Sequence, residues 1–448
     1  MARPSIRPRN LLLTLAASAS LALCAQPASA AAAGCDKLAS PSGSDSAQGT
    51  QAAPYRSVDK LAYSLSSGQV GCLRGGTYNE SLKVSRPGIT LRGYDGERAK
   101  LVGRLWVDAD RVSVERLWLD GTNADGLPSP SVSATDVAFR NNDVTNNHTT
   151  ICFTLGHAAY GRATRTVIER NKIHNCGRLP ANNHEHGIYI DTATDARIEG
   201  NWIYDNADRG IQIYPDSDGA QIKGNVIDSN GSGVIFGGAG DTTSDDNVVE
   251  GNVITNSKLR HNIESYWGET SDIGTGNAAR SNCVNGGPRD DGNGGIGEAL
   301  GFVSSANLAK DPAFVNRTGK DYRLAADSPC RSVYGSGDYV PGPEGGLNHS
   351  SARRARVTLS ARPRAFRAGR RVRLAGRVSN VAPGRRVFIL ARRGGKWRRV
   401  GSARVRSNGR YSVKRRIKVG RGSKAVRLRA VVKRVAKSRS VKLRIKRR

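Results

Sequence analysis

The sequence predicts an all-β protein: a coil of stacked parallel strands followed by a small antiparallel β-sandwich. Three observations carry that prediction. A phrase rich in Ile, Val, Asn and Gly recurs through residues 137–285, the tail alternates apolar and basic side chains in short runs, and charge divides the chain in two. A repeat period in the twenties and period-2 alternation are the respective marks of a solenoid and of half-buried strands.

The first element is a leader. Arg3, Arg7 and Arg9 precede the apolar run LLLTLAASASLALCA, and PASA stands just before Ala31. A charged start, a core too short to span a bilayer and an A-x-A ending describe a secretory signal over residues 1–30. A lipoprotein reading of Cys24 is the lesser one, since Leu23 occupies the position where a small residue is wanted. The expectation is a secreted, extracellular chain without a transmembrane segment, monomeric, with wall association as an option.

Six cysteines follow the leader: Cys35, Cys72, Cys152, Cys176, Cys283 and Cys330. In an exported chain they suggest disulfides, and six allow fifteen connectivities. Sequential pairing is expected because it closes the shortest loops. No C-x-x-C pair is present, so a zinc cluster is not expected.

The repeat comes next, within a domain expected over residues 31–345. It reads VAFRNNDVTNN, VIERNKIHNCG, ARIEGNWIYDN, AQIKGNVIDSN, NVVEGNVITNS and AARSNCVNG. Its asparagines at 142, 171, 201, 225, 252 and 282 are spaced 29, 30, 24, 27 and 30 residues apart. Each unit holds two or three short Ile/Val strands with Asn and Gly at the bends, unlike the Leu-rich consensus of leucine-rich repeats. Asn tolerates left-handed backbone angles and bonds its neighbours at turns, so one Asn per coil at the same bend can also form a ladder.

Stacking the units on that asparagine places GIYID (187–191), GIQIYP (210–215), GVIFGG (233–238) and NIESYWG (262–268) in one sheet. Ile188, Ile190, Ile211, Ile213, Val234, Phe236 and Ile263 then face inward, while Tyr189, Asp191, Gln212, Tyr214, Glu264 and Tyr266 face water. His184, Glu185 and His186 enter the sheet from a bend, as do Arg209, Arg260 and His261. Six of the seven histidines fall between 148 and 261, around this patch. HEH at 184–186 is no zinc-protease motif, because Ile188 stands where the second histidine is required. Strict alternation turns His186 inward unless Gly187 resets the parity.

The units GNWIYDNADRGIQIYP and GNVIDSNGSGVIFGG resemble the repeat of the right-handed, pectate-lyase-like parallel β-helix superfamily. GGTYNESLKVSRPGITLRGYDGERAKLVG resembles the opening coils of such proteins, and DPAFVNRTGKDYRLAADSPC the segment that closes them. The resemblance covers roughly residues 68–335 and implies about ten coils, with strands about 4.8 Å apart along the axis. That fold carries lyases, hydrolases, adhesins and tailspikes, so architecture names no reaction.

The function expected is that of a carbohydrate-active protein that binds, and in its enzymatic form cleaves, an acidic polysaccharide on the outer face of the coil. Candidate catalytic residues are His186, Tyr189, Asp191, Arg209, Tyr214 and Glu264. Candidate substrate-binding residues are His184, Gln212, Asp216, His261, Tyr266 and Trp267. Elimination from a uronate needs a base (Arg209 or His186), an acid (Tyr189 or Tyr214) and a counter-charge for the carboxylate, for which Ca2+ on Asp191, Asp216 and Glu264 is the cofactor expectation. A hydrolase would pair two carboxylates, Asp191 with Glu264. The alternative is a non-catalytic adhesin or scaffold holding glycan along the same aromatic column. The calcium-binding aspartates and catalytic arginine of pectate lyases do not align with this chain. The acidic loops at 241–247 and 289–295 lack the spacing of an EF-hand.

The last element follows a linker expected at 346–352. Of the chain's 70 Lys and Arg, 37 lie between Ser351 and Arg448, where Asp and Glu are absent; the remaining 33 face all 38 acidic residues. Residues 353–448 break into short alternating runs such as RVRLAGRVS, RRVFILARR and AVRLRAVV, a pattern similar to Ig-like modules appended to exported proteins. Its field should collect polyanions. A cell-envelope polyanion is the expected partner rather than nucleic acid, given export and few aromatic residues.

Overall fold

The computed structural model describes residues 34–334 and, between 356 and 446, all but 364, 368–369, 380–385, 394–395, 407–409, 418–422, 424, 433–435 and 439. The leader (1–30), Cys24 and the linker (346–352) lie outside the described residues. Two units are distinguished, Met1–Leu347 and Asn348–Arg448.

In the first unit, among the described residues, strands of two to ten residues stack into three long sheets of 11, 10 and 9 strands, and every pairing within them is parallel. Each coil contributes a strand to each sheet, which makes this a parallel β-helix. Ile, Val, Leu and Phe fill the interior in stacked rows, and Ile168, Ile198, Ile222 and Val249 follow one another in register with no exposed surface. Burying an aliphatic side chain of this size contributes about 1.5–3 kcal/mol, so successive coils hold the column together without long-range design. A short helix, Val58–Ser64, packs Val58, Leu61 and Ala62 into the same core at its first coils. Its N-cap is Ser57, which accepts from the Lys60 N–H at 3.1 Å.

The repeat asparagines form the ladder expected of them. Asn142, Asn171, Asn201, Asn225, Asn252 and Asn282 are fully buried. Each donates its backbone N–H and its Nδ2 to the Oδ1 of the next, at 2.8–3.0 Å, and Asn282 passes the chain of bonds to Asn307. One detail differs from expectation. The left-handed residue of each bend is the one before the ladder asparagine: Asn141, Arg170, Gly200, Gly224, Gly251 and Ser281 have φ between 53° and 65°. The ladder side chain is thereby turned into the coil, where its amide meets backbone carbonyls instead of water.

Three disulfides, Cys35–Cys72, Cys152–Cys176 and Cys283–Cys330, give the sequential connectivity. No helix among the described residues is long and apolar enough to cross a membrane.

Among the described residues, the second unit is a sandwich of a four-stranded and a six-stranded sheet. Its pairings are antiparallel, save Ala365–Phe366 with Val441–Ile445. Val372, Leu374, Val387, Ile389, Leu428 and Leu443 meet in its single core.

Candidate functional site

The nine-stranded sheet carries the site. Eight of its strands run in order from Leu82–Val84 through Leu105–Val107, Ser131–Val132, Phe153–Leu155, Ile188–Thr194, Arg209–Asp218 and Ser232–Gly238 to Ile263–Trp267, and the ninth, Ala163–Thr164, pairs with Ile188–Thr194 beside that path. One register row crosses all eight on the outer face: Lys83, Trp106, Ser131, Thr154, Tyr189, Gln212, Ile235 and Glu264. Neighbours in that row are about 4.8 Å apart. Flanking residues Ile188, Ile190, Ile211, Ile213, Val234, Phe236 and Ile263 are fully buried inside the coil, as alternation requires.

Beside that row Gly237 pairs with Tyr266, and the Tyr214 ring lies next to Gly237. A Cβ on Gly237 would lie 2.6 Å from the Tyr266 carbonyl and 3.0 Å from the Tyr214 ring, so glycine is what lets that ring lie across the strand. Asp191 belongs beside Tyr214, but alternation fails there. Ile190 pairs with Ile213 and Thr192 with Asp216, which leaves Asp191 opposite both Tyr214 and Pro215 in a β-bulge. Beyond the bulge Asp216 points away along the flank, where Arg162 binds it at 2.5 Å.

The outer row is recessed, which corrects the expectation that its members face water. His186 is 2% exposed, Arg209 4% and Glu264 8%; Asp191 and Gln212 are also buried, Tyr189 and Tyr214 are partly covered, and of the six side chains expected to face water Tyr266 alone is exposed, at 56%. Segments 181–183 and 259–261 border the sheet here, with Asn183 bonded to Arg209 and His261 to Glu264. They enclose a cavity of about 370 Å³ lined by Ala181, Asn183, Asp208, Arg209, Ser232 and Arg260, among others.

Within the recess Arg209 is the hub. Its backbone N–H donates to His186 Nδ1 at 3.4 Å, and its Nη1 donates to the Asn183 carbonyl at 2.9 Å and to Gln212 Oε1 at 3.5 Å. Its Nε is buried without a protein acceptor. Burial holds its pKa below the ordinary arginine value; Glu264 opposes that shift and Arg260 adds to it. Glu264 accepts from Ser232 Oγ at 2.8 Å and pairs with His261 Nδ1 at 3.2 Å, with Arg260 at 4.0 Å. Burial, then the Arg209 and His184 charges, push His186 well below its ordinary pKa, so it is neutral. Burial, aided by Asp191 and Tyr214, raises Tyr189, whose ring meets the His186 edge 5.5 Å away. His184 is exposed, its backbone N–H bonded to Asn182 Oδ1. Glu185 turns inward to pair with Arg178, and its N–H donates to Asp208 at 2.8 Å.

Several expected members stand apart. Asp191, Asp216 and Glu264 do not converge as calcium ligands: Asp216 is held by Arg162 and Glu264 by Ser232 and His261. Among the described residues no group of three His, Cys, Asp or Glu is placed to hold a metal ion. Glu264 lies three strands from the Asp191 strand, about 14 Å, wider than the separation across which paired glycosidase carboxylates act. Trp267 packs against Gly238, Gly274 and Gly301 and donates to the Leu300 carbonyl at 2.9 Å, a closing role in the wall. His148 and His174 belong to another face, where His174 stacks on Tyr204 and bonds Asp143 at 2.9 Å. The acidic loops use Asp245 and Asp290 to bond turn N–H groups.

Sequence reasoning missed Lys83 and Trp106, whose ammonium and ring lie 4.0 Å apart in the main row, as well as Arg162 and Ser232. The alternation in SLKVS and RLWVD could have found the first two. Those early coils lack the marker asparagine, and stacking on it began too late in the chain to reach them.

A profile of the right handed beta helix region matches residues 119–283, and the first unit is a right-handed parallel β-helix. No curated protein matches this chain. Among solved structures, pectate lyase Pel9A is 14% identical with a TM-score of 0.44, covering 65% of this chain and 90% of its own. XylC in complex with xylose is 10% identical with a TM-score of 0.41, covering 86% and 96%. Pectin methylesterase PemA from Erwinia chrysanthemi is 13% identical with a TM-score of 0.30, covering 69% and 99%.

Proposed function

We propose that the chain is an exported carbohydrate-active protein that binds an acidic polysaccharide along the recessed outer row and cleaves it by β-elimination. The observation that carries this reading is the buried guanidinium of Arg209, which lines the cavity beside Arg260 with an Nε that lacks a protein acceptor. A buried cation without a full set of acceptors is costly unless a ligand supplies them, and a sugar carboxylate matches the planar fork of arginine. With the carboxylate so held, the C5 proton becomes removable. His261, oriented through Nδ1 by Glu264, is the base, as carboxylate-oriented imidazoles commonly are. The imidazolium so formed returns its proton to the leaving oxygen as the C4–O bond breaks, and Tyr189, kept protonated by its surroundings, donates to a hydroxyl of the sugar bound further along the row.

The basic C-terminal unit serves as the anchor to an acidic envelope polymer, held by charge and released by salt. Incubation with polygalacturonate, alginate, hyaluronan and chondroitin tests the reaction. Rising ultraviolet absorbance from unsaturated uronate is the expected result, and Arg209→Gln or His261→Asn should lower it at least about 100-fold, the scale of a lost catalytic group. Reducing sugar without that absorbance would replace elimination with hydrolysis. Retention without cleavage would make the chain a binder.

A further inference from the structure

The outer face of the four-stranded sheet of the C-terminal unit sets cations directly against one another. Across its strands Arg371 stands opposite Arg416, Arg373 opposite Lys414 and Arg377 opposite Arg410, and Arg362 flanks Arg373 from the other side. All seven side chains are exposed, while the intervening Val372 and Leu374 are fully buried. Like charges in directly opposed positions lower the stability of a sheet. Sequence alternatives with one acidic member per pair would remove that cost, yet no Asp or Glu occurs between Ser351 and Arg448. The part of the array formed by Arg371, Arg373, Lys414 and Arg416 therefore makes sense as one completed by an outside anion.

The face also indicates which anion. Cations recur about every 6.8 Å along a strand and about 4.8 Å across strands. Of the 37 basic residues from Ser351 to Arg448, 29 are arginine, whose rigid fork pairs two N–H groups with two oxygens of one phosphate. No aromatic ring lies among these seven: Tyr411 turns inward and donates its hydroxyl to the Thr358 carbonyl at 2.5 Å. The face offers no aromatic platform on which successive nucleobases could stack. The six-stranded sheet also has opposed pairs, Arg386 with Arg404 and Arg427 with Lys442, but Phe388 and Trp397 lie on its outer side with Arg399 and Arg429 laid over their rings at 4.8 and 4.4 Å. Disulfides in the first unit belong to an oxidising compartment, away from the bulk of cellular nucleic acid. A phosphodiester polymer carries its charge in the backbone, so successive charges can follow a strand, whereas carboxylates hang from sugar rings that turn over along the chain.

We propose that this four-stranded face docks an extended phosphodiester polymer of the cell envelope and reads it by charge alone. The proposal rests on the reading of the C-terminal unit as an anchor and specifies its surface and ligand. The test uses the full chain and labelled poly(glycerol phosphate), with binding followed by anisotropy over a salt series. One variant carries Arg371→Gln, Arg373→Gln, Lys414→Gln and Arg416→Gln. A control of equal net charge carries Arg386→Gln, Arg427→Gln, Lys442→Gln and Arg444→Gln, all exposed on the six-stranded sheet.

The face variant should bind at least tenfold more weakly, and its slope of log affinity against log salt should be shallower by about 3, the loss of four phosphate contacts at about 0.7 each. The control should stay within threefold of the parent. The face variant should also melt no lower than the parent, since opposed like charges have been removed. Equal loss in both variants would overturn the assignment of the face while leaving an electrostatic anchor. Preference for single-stranded DNA or polygalacturonate at matched charge would overturn the choice of ligand. Absence of any salt-sensitive binding by the parent would remove the anchor itself.

Discussion

Replacing Asn225 with alanine tests the element that holds the coils in register. Its Oδ1 accepts the Asn201 backbone N–H and the Asn201 Nδ2, both at 2.9 Å, and its own Nδ2 donates to the Ile198 carbonyl at 2.8 Å and to Asn252 Oδ1 at 2.9 Å. Alanine leaves the Asn201 N–H buried without an acceptor, at a cost of about 1–3 kcal/mol. Asn201 Nδ2 keeps its bond to the Ile168 carbonyl at 2.8 Å and loses only its second partner, which with the bonds lost by Ile198 and Asn252 adds about 1–2 kcal/mol. The sum is about 2–5 kcal/mol. Asn307 makes the same bonds at the last rung, but it is only partly buried, and water can replace what alanine removes there. Asn307→Ala should therefore cost about 1 kcal/mol or less. Urea unfolding of both variants, read as the change in midpoint at constant slope, checks the difference. Equal losses, or less than 1 kcal/mol for Asn225→Ala, would refute a ladder whose value lies in burial.

Two pH predictions follow from the recess. Burial raises Asp191 above its ordinary pKa of 3.8, a shift to which Asp216 adds and which Thr192 and His157 oppose. A carboxyl raised on folding costs stability as pH rises through the unfolded value and past the folded one, so Asp191→Asn should stabilise the protein at pH 7 and have no such benefit below about pH 3.8; melting temperature against pH measures this. His186 is shifted down, so the unfolded chain takes up a proton that the native imidazole refuses, and stability falls as pH drops below 6.5. His186→Gln should flatten that decline, and an unchanged slope between pH 6.5 and 5 would show that another group causes it. Tyr189→Phe keeps the ring against His186 and removes the hydroxyl, and it should raise KM with little change in melting temperature; a variant with the parent KM would exclude Tyr189 as a sugar contact.

The repeat, the strand faces and the division of charge were legible in the sequence because each depends on neighbours within a few residues. Alternation assigns Ile188, Ile190, Ile211 and Ile213 to the interior whatever the rest of the chain does, and a spaced asparagine fixes where each coil bends. Cys152 and Cys176 enclose a single coil, so the shortest loop was also the geometrically available one. The tertiary structure alone decided what happens between coils. Whether Asp191 pairs or bulges depends on Pro215 in the next strand, and Asp216 is claimed by an arginine 54 residues away. Outward-pointing side chains such as Arg209 and Glu264 became buried where segments 181–183 and 259–261 border them, a matter of how windings stack and not of any local pattern. A residue's direction is set by its own backbone; its solvent exposure, partners and chemistry are set by segments that the chain brings alongside only once it has folded.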